Sequence, residues 1–155
     1  MMMPKPEDRA RLYFSDDDIA DINNSPVRWG SGEEVNAISL TDAWDAHVEK
    51  IDQDRALPWS DRTVWNEYDL NAAFIIRDLL ESAINSLPAP LGAKMNSYVS
   101  EADDRFTSIT VEDSGKRMAA VANIDTTGRG WWWFRVPDSG PIVEDLARWS
   151  RFENE

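Results

Sequence analysis

Cysteine is absent from the 155-residue sequence, and histidine occurs once, at His47. Without a thiol the chain can form no disulfide, no thiolate nucleophile and no cysteine-based zinc site. A lone imidazole has no second nitrogen or sulfur partner to complete a zinc shell. Glycine is scarce, at 7 residues, and none builds a phosphate-cradling loop; Gly128 and Gly130 fall in a turn signal. No GxSxG elbow, HExxH pair or Ser/His/Asp order is present. Neither a cofactor nor a metal is expected. Long apolar runs are missing too. The N-terminus, MMMPKPEDRARLYF, holds nothing like the apolar stretch of a signal peptide, and no later segment has the length of a membrane span. The sequence reads as a soluble, cytoplasmic protein.

Bases are also short. Lys and Arg number 16 against 29 Asp and Glu, for a net charge of −13. The excess runs through the whole chain: residues 1–60 hold 13 acids and 6 bases, residues 61–155 hold 16 and 10. A field of that sign repels nucleic acid and anionic membrane. It attracts basic proteins and raises their association rates. The same charge also serves solubility alone.

The segment with the clearest helical period is Asp69 to Leu87, DLNAAFIIRDLLESAINSL. Ala72, Ile76, Leu79, Leu80, Ala83 and Leu87 recur at spacings of three and four and define one face. Ala73, Ile75 and Ile84 widen it, as in a helix packed on more than one side. Asp69 is placed to cap the start and Pro88 to end the helix. A second helix is predicted over Ser39 to Gln53, with Ser39 and Asp42 as a capping box and Leu40, Trp44, His47, Val48 and Ile51 on its apolar face. On that face His47 reads as a packed side chain, not a base. A third, shorter helix carries Leu91, Met95, Tyr98, Val99 and Ala102 and ends near Asp103.

Residues 1–26 read as an acidic N-terminal segment, partly ordered, and 27–155 as a single α+β domain. In the former, Ser15 followed by Asp16, Asp17 and Asp18 gives an N-cap and an acidic first turn. The triplet lacks the alternating oxygen ligands and the glycine turn of a calcium loop. Val27 to Glu34 is a loop or short extended piece, anchored by Trp29 and broken by Gly30 and Gly32. From Arg105 onward the composition turns β-like. FTSITVE (106–112), a turn at Asp113-Ser114-Gly115, Lys116 to Ile124, a turn at 125–130 and WWWFRV (131–136) predict a three-stranded antiparallel meander. Pro141 opens a terminal helix with Ile142, Leu146 and Trp149 inward. The expected fold is thus N-terminal helices packed on this meander, with a C-terminal helix.

Eight tryptophans, three of them consecutive, are the strongest local oddity. On a strand Trp131 and Trp133 share one side, and Trp132 and Phe134 the other. One side packs on helices; the other is either covered or presents aromatic rings to a partner. Arg129 and Arg135 flank the strand as cation–π partners or anchors. The function predicted is a small acidic, non-catalytic binding protein that recognises a basic protein and neutralises or chaperones it, in the manner of an immunity protein or inhibitor. The partner-binding candidates are Trp131, Trp133, Arg129, Arg135, Asp16, Asp17, Asp18, Glu33 and Glu34. Two alternatives stand beside it. One is a carboxylate-dependent hydrolase acting on a sugar, through a pair such as Glu33/Glu34, Glu101/Asp103/Asp104 or Glu112/Asp113. The other is a structural oligomerising module built on the tryptophan strand.

Overall fold

In a computed structural model of the chain, residues 6–29 and 32–154 are described. Gly30, expected to break the loop after Trp29, lies outside them, as do Met1 to Lys5. The elements run α1 (Pro6–Tyr13), α2 (Asp16–Asn23), β1 (Val27–Trp29), β2 (Glu33–Val35), α3 (Ala37–Asp54), α4 (Glu67–Asn85), α5 (Ala89–Ser108), β3 (Thr110–Glu112), α6 (Lys116–Ala122), a 3₁₀ turn (Trp131–Phe134), β4 (Arg135–Pro137), α7 (Pro141–Ala147) and a second 3₁₀ turn (Ser150–Asn154).

The predicted meander is not present. The protein is mostly helical, and its strands form two separate two-stranded antiparallel sheets, β1 with β2 and β3 with β4. Three physical preferences override the β-like reading. Phe106, Thr107 and Ser108 continue α5, because Phe106 lies one turn beyond Ala102 on the same buried stripe. Lys116 to Ala122 is a helix: Lys, Arg, Met and three alanines are strong helix formers, and Met118 and Val121 bury at a helical spacing. The tryptophan run winds into the first 3₁₀ turn instead of extending. Only 110–112 and 135–137 pair as strands, in the register Thr110↔Pro137, Val111↔Val136 and Glu112↔Arg135.

The long helices start from asparagine caps. Asn36 Oδ1 accepts the Ser39 amide at 2.9 Å and so begins α3. Asn66 Oδ1 accepts the Tyr68 amide at 3.0 Å, while Asp69 reaches back to accept the Asn66 amide at 2.9 Å. Asp69 is therefore the third residue of a capping box, not the cap. In α4 the buried positions are Glu67, Leu70, Ala73, Phe74, Ile76, Arg77, Leu80, Ala83 and Ile84; Ala72 and Ile75 face solvent.

The chain divides into two compact units, to which each of the three long helices contributes: residues up to Asp45 with Ile76–Asp103, and Ala46–Ile75 with Asp104–Glu155. The first unit centres on Trp44, Leu80, Met95 and Tyr98, each 0% exposed. Arg77 is buried there, its Nε and Nη2 donating to the two oxygens of Asp103 at 3.1 and 3.0 Å and its Nη1 to Glu81 at 2.8 Å. Trp44 Nε1 donates to the same Asp103 at 2.9 Å. Tyr13, the last residue of α1, and Phe14 meet the Tyr98 ring edge-on at 5.2 and 5.5 Å, and the Arg9 guanidinium lies 4.5 Å from the centre of that ring. The second unit centres on Phe74, Phe106 and Trp133, with Phe74 edge-on to Phe106 at 5.8 Å and to Trp133 at 5.2 Å. Among the described residues no helix is long and apolar enough to cross a membrane.

Candidate functional site

The first unit carries most of the charge excess. Counted over Met1–Asp45 and Ile76–Asp103 it holds 14 acids and 6 bases, net −8; the remainder holds 15 and 10, net −5. Among the described residues, exposed carboxylates without an ion-pair partner are found on α2 and the β1–β2 hairpin. Ser15 caps α2 by accepting the Asp18 amide, and Asp18 returns the bond to the Ser15 amide. Asp18 also takes Lys94 Nζ at 2.8 Å. The Lys94 ammonium, then the Ser15 amide, hold its carboxyl below the ordinary aspartate range. Asp18 is thus turned into the fold. Asp16 and Asp17, stabilised at the helix start by its dipole, stay exposed, as does Asp21, and none of the three has an ion-pair partner among the described residues.

The hairpin register is Val27↔Val35, Arg28↔Glu34 and Trp29↔Glu33. Alternation therefore sends Trp29, Glu33 and Val35 to one face and Arg28 and Glu34 to the other. The Trp29 face encloses a groove of about 270 Å³, completed by Ser39, Leu40 and Ala43 of α3 and Ile76 of α4. Its walls are aliphatic and indole, and among the described residues Glu33 is its one charged wall residue and no base lines it. A hydrogen bond from Asn36 Nδ2 to Asn23 Oδ1 at 2.8 Å ties the end of α2 to the end of the hairpin. Glu33 and Glu34 are both exposed and have no ion-pair partner among the described residues.

The tryptophan segment lies in the second unit. With three residues per turn, the 3₁₀ geometry groups Trp131 with Phe134 and turns Trp132 and Trp133 away from them. Trp133 is 0% exposed and Trp131 38%. The pair expected on one strand face is therefore split: Trp133 belongs to the core and Trp131 alone reaches solvent. The Arg129 guanidinium lies 5.7 Å from the centre of the Trp133 ring. Arg135 is held by Thr110 Oγ1 at 2.8 Å, Thr110 O at 2.9 Å and Thr107 O at 3.2 Å. Trp131, Phe134 and Arg135 line a groove of about 460 Å³ with Thr107, Glu112 and Asp113. Sequence reasoning singled out Trp131 and Arg135 but not Phe134 or Thr107, which only the 3₁₀ turn and the extended α5 bring alongside.

Each carboxylate pair has a member held elsewhere or aimed away. Glu33 and Glu34 point to opposite faces of β2. Asp103 is bound by Arg77 and Trp44, and Asp113 by Arg117 at 2.7 Å and the Gly115 amide at 3.0 Å. His47 is half-buried, its ring 5.0 Å from that of Trp65. Among the described residues no group of three or more His, Asp or Glu is placed to hold a metal ion. Comparison with known proteins gives no match to a family model, a curated protein or a solved structure.

Proposed function

We propose that the protein is a non-catalytic binding protein of the cytoplasm that recognises a basic protein partner through its first unit and neutralises or chaperones it, a role of the immunity-protein or inhibitor kind. The observation that carries this reading is the set of exposed carboxylates without ion-pair partners among the described residues, Asp16, Asp17, Asp21, Glu33 and Glu34, in the same unit as an aliphatic groove walled by Trp29 and Glu33. Carboxylates left unpaired on a folded surface repel one another, and a cationic partner relieves that repulsion. The groove is suited to the aliphatic stem of a lysine or arginine. Its methylenes would lie against Val35, Leu40 and Ile76, and its charged head would meet Glu33 and the Trp29 ring. Of the sequence candidates this reading retains Asp16, Asp17, Glu33 and Glu34, and replaces Trp133 by Trp29 as the aromatic anchor.

The test is stopped-flow association with two basic probe proteins, lysozyme and cytochrome c, across a salt series. The wild type is compared with the variant Asp16→Asn/Asp17→Asn/Glu33→Gln/Glu34→Gln. The expected result is an association rate that falls steeply with ionic strength for at least one probe and drops roughly tenfold in the variant at low salt. Salt-independent rates, or a variant that associates like the wild type, would refute the reading.

A further inference from the structure

We propose that the groove beside Trp131 is a binding site for a neutral polyhydroxylated ligand, a mono- or disaccharide. It lies wholly in the second unit and is independent of the basic partner assigned to the first. Its volume, about 460 Å³, is within the range of small-ligand sites. Trp131 gives it an aromatic wall. The ring is 38% exposed, yet it is held in place by Phe106 at 6.1 Å and by Trp132, edge-on, at 5.7 Å. Phe134 forms a second wall and is fixed in turn. A Cβ on Gly115 would fall 2.8 Å from its ring, so the backbone of that glycine, at φ +82°, lies directly against it. Two rigid aromatic surfaces suit the flat C–H faces of a pyranose, which lose little entropy on stacking.

The polar groups decide the charge of the ligand. Glu112 and Arg135 face each other across β3 and β4, yet they form no ion pair. Arg135 is turned instead onto Thr110 and Thr107, which use Nε and Nη2 and leave Nη1 without a hydrogen bond among the described residues. The Glu112 carboxylate is exposed and likewise without one. Asp113 lines the groove with each of its oxygens already accepting one bond, from Arg117 and from the Gly115 amide. A cation entering here meets the Arg135 guanidinium, and an anion meets Glu112 and Asp113. A vicinal diol meets both groups favourably: one hydroxyl donates to Glu112 and its neighbour accepts from Arg135 Nη1. An aromatic platform beside one free acceptor and one free donor is the chemistry of sugar recognition, and no bond need be made or broken.

The experiment is a ¹⁵N NMR titration of the full chain with cellobiose, N,N′-diacetylchitobiose and lactose. Glycine is the zwitterionic control, and sodium acetate and methylammonium are the charged ones. The expected result is a saturable shift of the Trp131 indole N–H and the Arg135 Nε–H with at least one disaccharide, with a Kd of about 1 mM. Trp131→Ala should weaken that binding roughly tenfold or more. Glu112→Gln, an exposed change that leaves the packing intact, should weaken it about threefold to tenfold. Should Trp131→Ala fail to fold, the Glu112→Gln titration and the wild-type shift map decide alone. The proposal is overturned by three results: no saturable shift with any disaccharide at high millimolar concentration, binding that leaves the Trp131 indole unmoved, or tighter binding of glycine than of every sugar.

Discussion

Replacing Asp103 by alanine should cost the first unit more than any other surface-accessible carboxylate. Arg77 is 3% exposed, and two of its three ion-paired donors end on Asp103. The third ends on Glu81, whose side chain is 42% exposed and so less effective against the buried charge. Asp103→Ala therefore removes the bidentate partner of a buried guanidinium, a loss of about 3–5 kcal/mol for a broken buried pair. It also removes the carboxylate to which the indole N–H of Trp44, 0% exposed, donates. Glu81 offsets part of this, and the expected total is about 4 kcal/mol, a large share of the roughly 5–15 kcal/mol that stabilises a domain. For a chain of this length that corresponds to a fall in Tm of about 8–16 °C. The assay is urea denaturation followed by far-ultraviolet circular dichroism, with thermal melts alongside. The double variant Arg77→Met/Asp103→Ala should recover about 2 kcal/mol relative to Asp103→Ala alone, because the buried charge goes with it. A loss below about 1 kcal/mol for Asp103→Ala, or strictly additive single effects, would refute the assignment of a buried, mutually dependent pair.

Three further outcomes follow from the same geometry. Gly130→Ala should destabilise by about 3 kcal/mol, since a Cβ there would sit 2.1 Å from the buried Trp132 ring; pairing it with Trp132→Leu should relieve much of the loss in the same denaturation assay. Gly140→Ala should cost a similar amount, from both φ +96° and a 2.8 Å approach to the Arg55 Cα, and here no side-chain rearrangement can relieve it. Burial, and then the hydrogen bond to Asp42, raise the Tyr98 hydroxyl above the usual tyrosine pKa. Because the folded value lies above the unfolded one, this contribution is fully present below about pH 10 and is lost as pH rises beyond it. Tyr98→Phe should therefore flatten the alkaline limb of a stability-against-pH curve while leaving its shape below pH 9 or so unchanged.

The helical half of the chain was legible because its apolar spacing is long and regular. Leu40, Trp44, Val48 and Ile51 in α3, and Met95, Tyr98, Val99 and Ala102 in α5, bury as their periods predict. The caps moved because asparagine competes well for orphan amides: Asn36 and Asn66 precede the Ser39 and Asp69 chosen from the sequence. α1 was missed because eight mostly polar residues, PEDRARLY, show no stripe; what holds them is Phe14 and Arg9 reaching Tyr98. The C-terminal third misled because alternation and helical spacing coincide over short runs. Met118, Ala120 and Ala122 look like one face of a strand, but it is Met118 and Val121 that bury. The tryptophan run showed aromatic excess without showing its period, and the 3₁₀ turn changed which rings emerge. At the candidate site, Glu33, Glu34, Asp16 and Asp17 could be picked from charge alone. The inward roles of Asp18 and Trp133 depend on Lys94 and Phe74, both distant in sequence.

We propose that a basic protein docks on the α2 and β1–β2 surface of the first unit. The most direct measurement is a ¹⁵N chemical-shift map recorded while lysozyme or cytochrome c is added at low salt. The largest shifts should fall on the Trp29 indole and on the amides of Asp16, Asp17, Asp21, Glu33 and Glu34, and they should vanish as salt is raised. Shifts confined to residues of the second unit, or scattered evenly over every exposed acid, would contradict it.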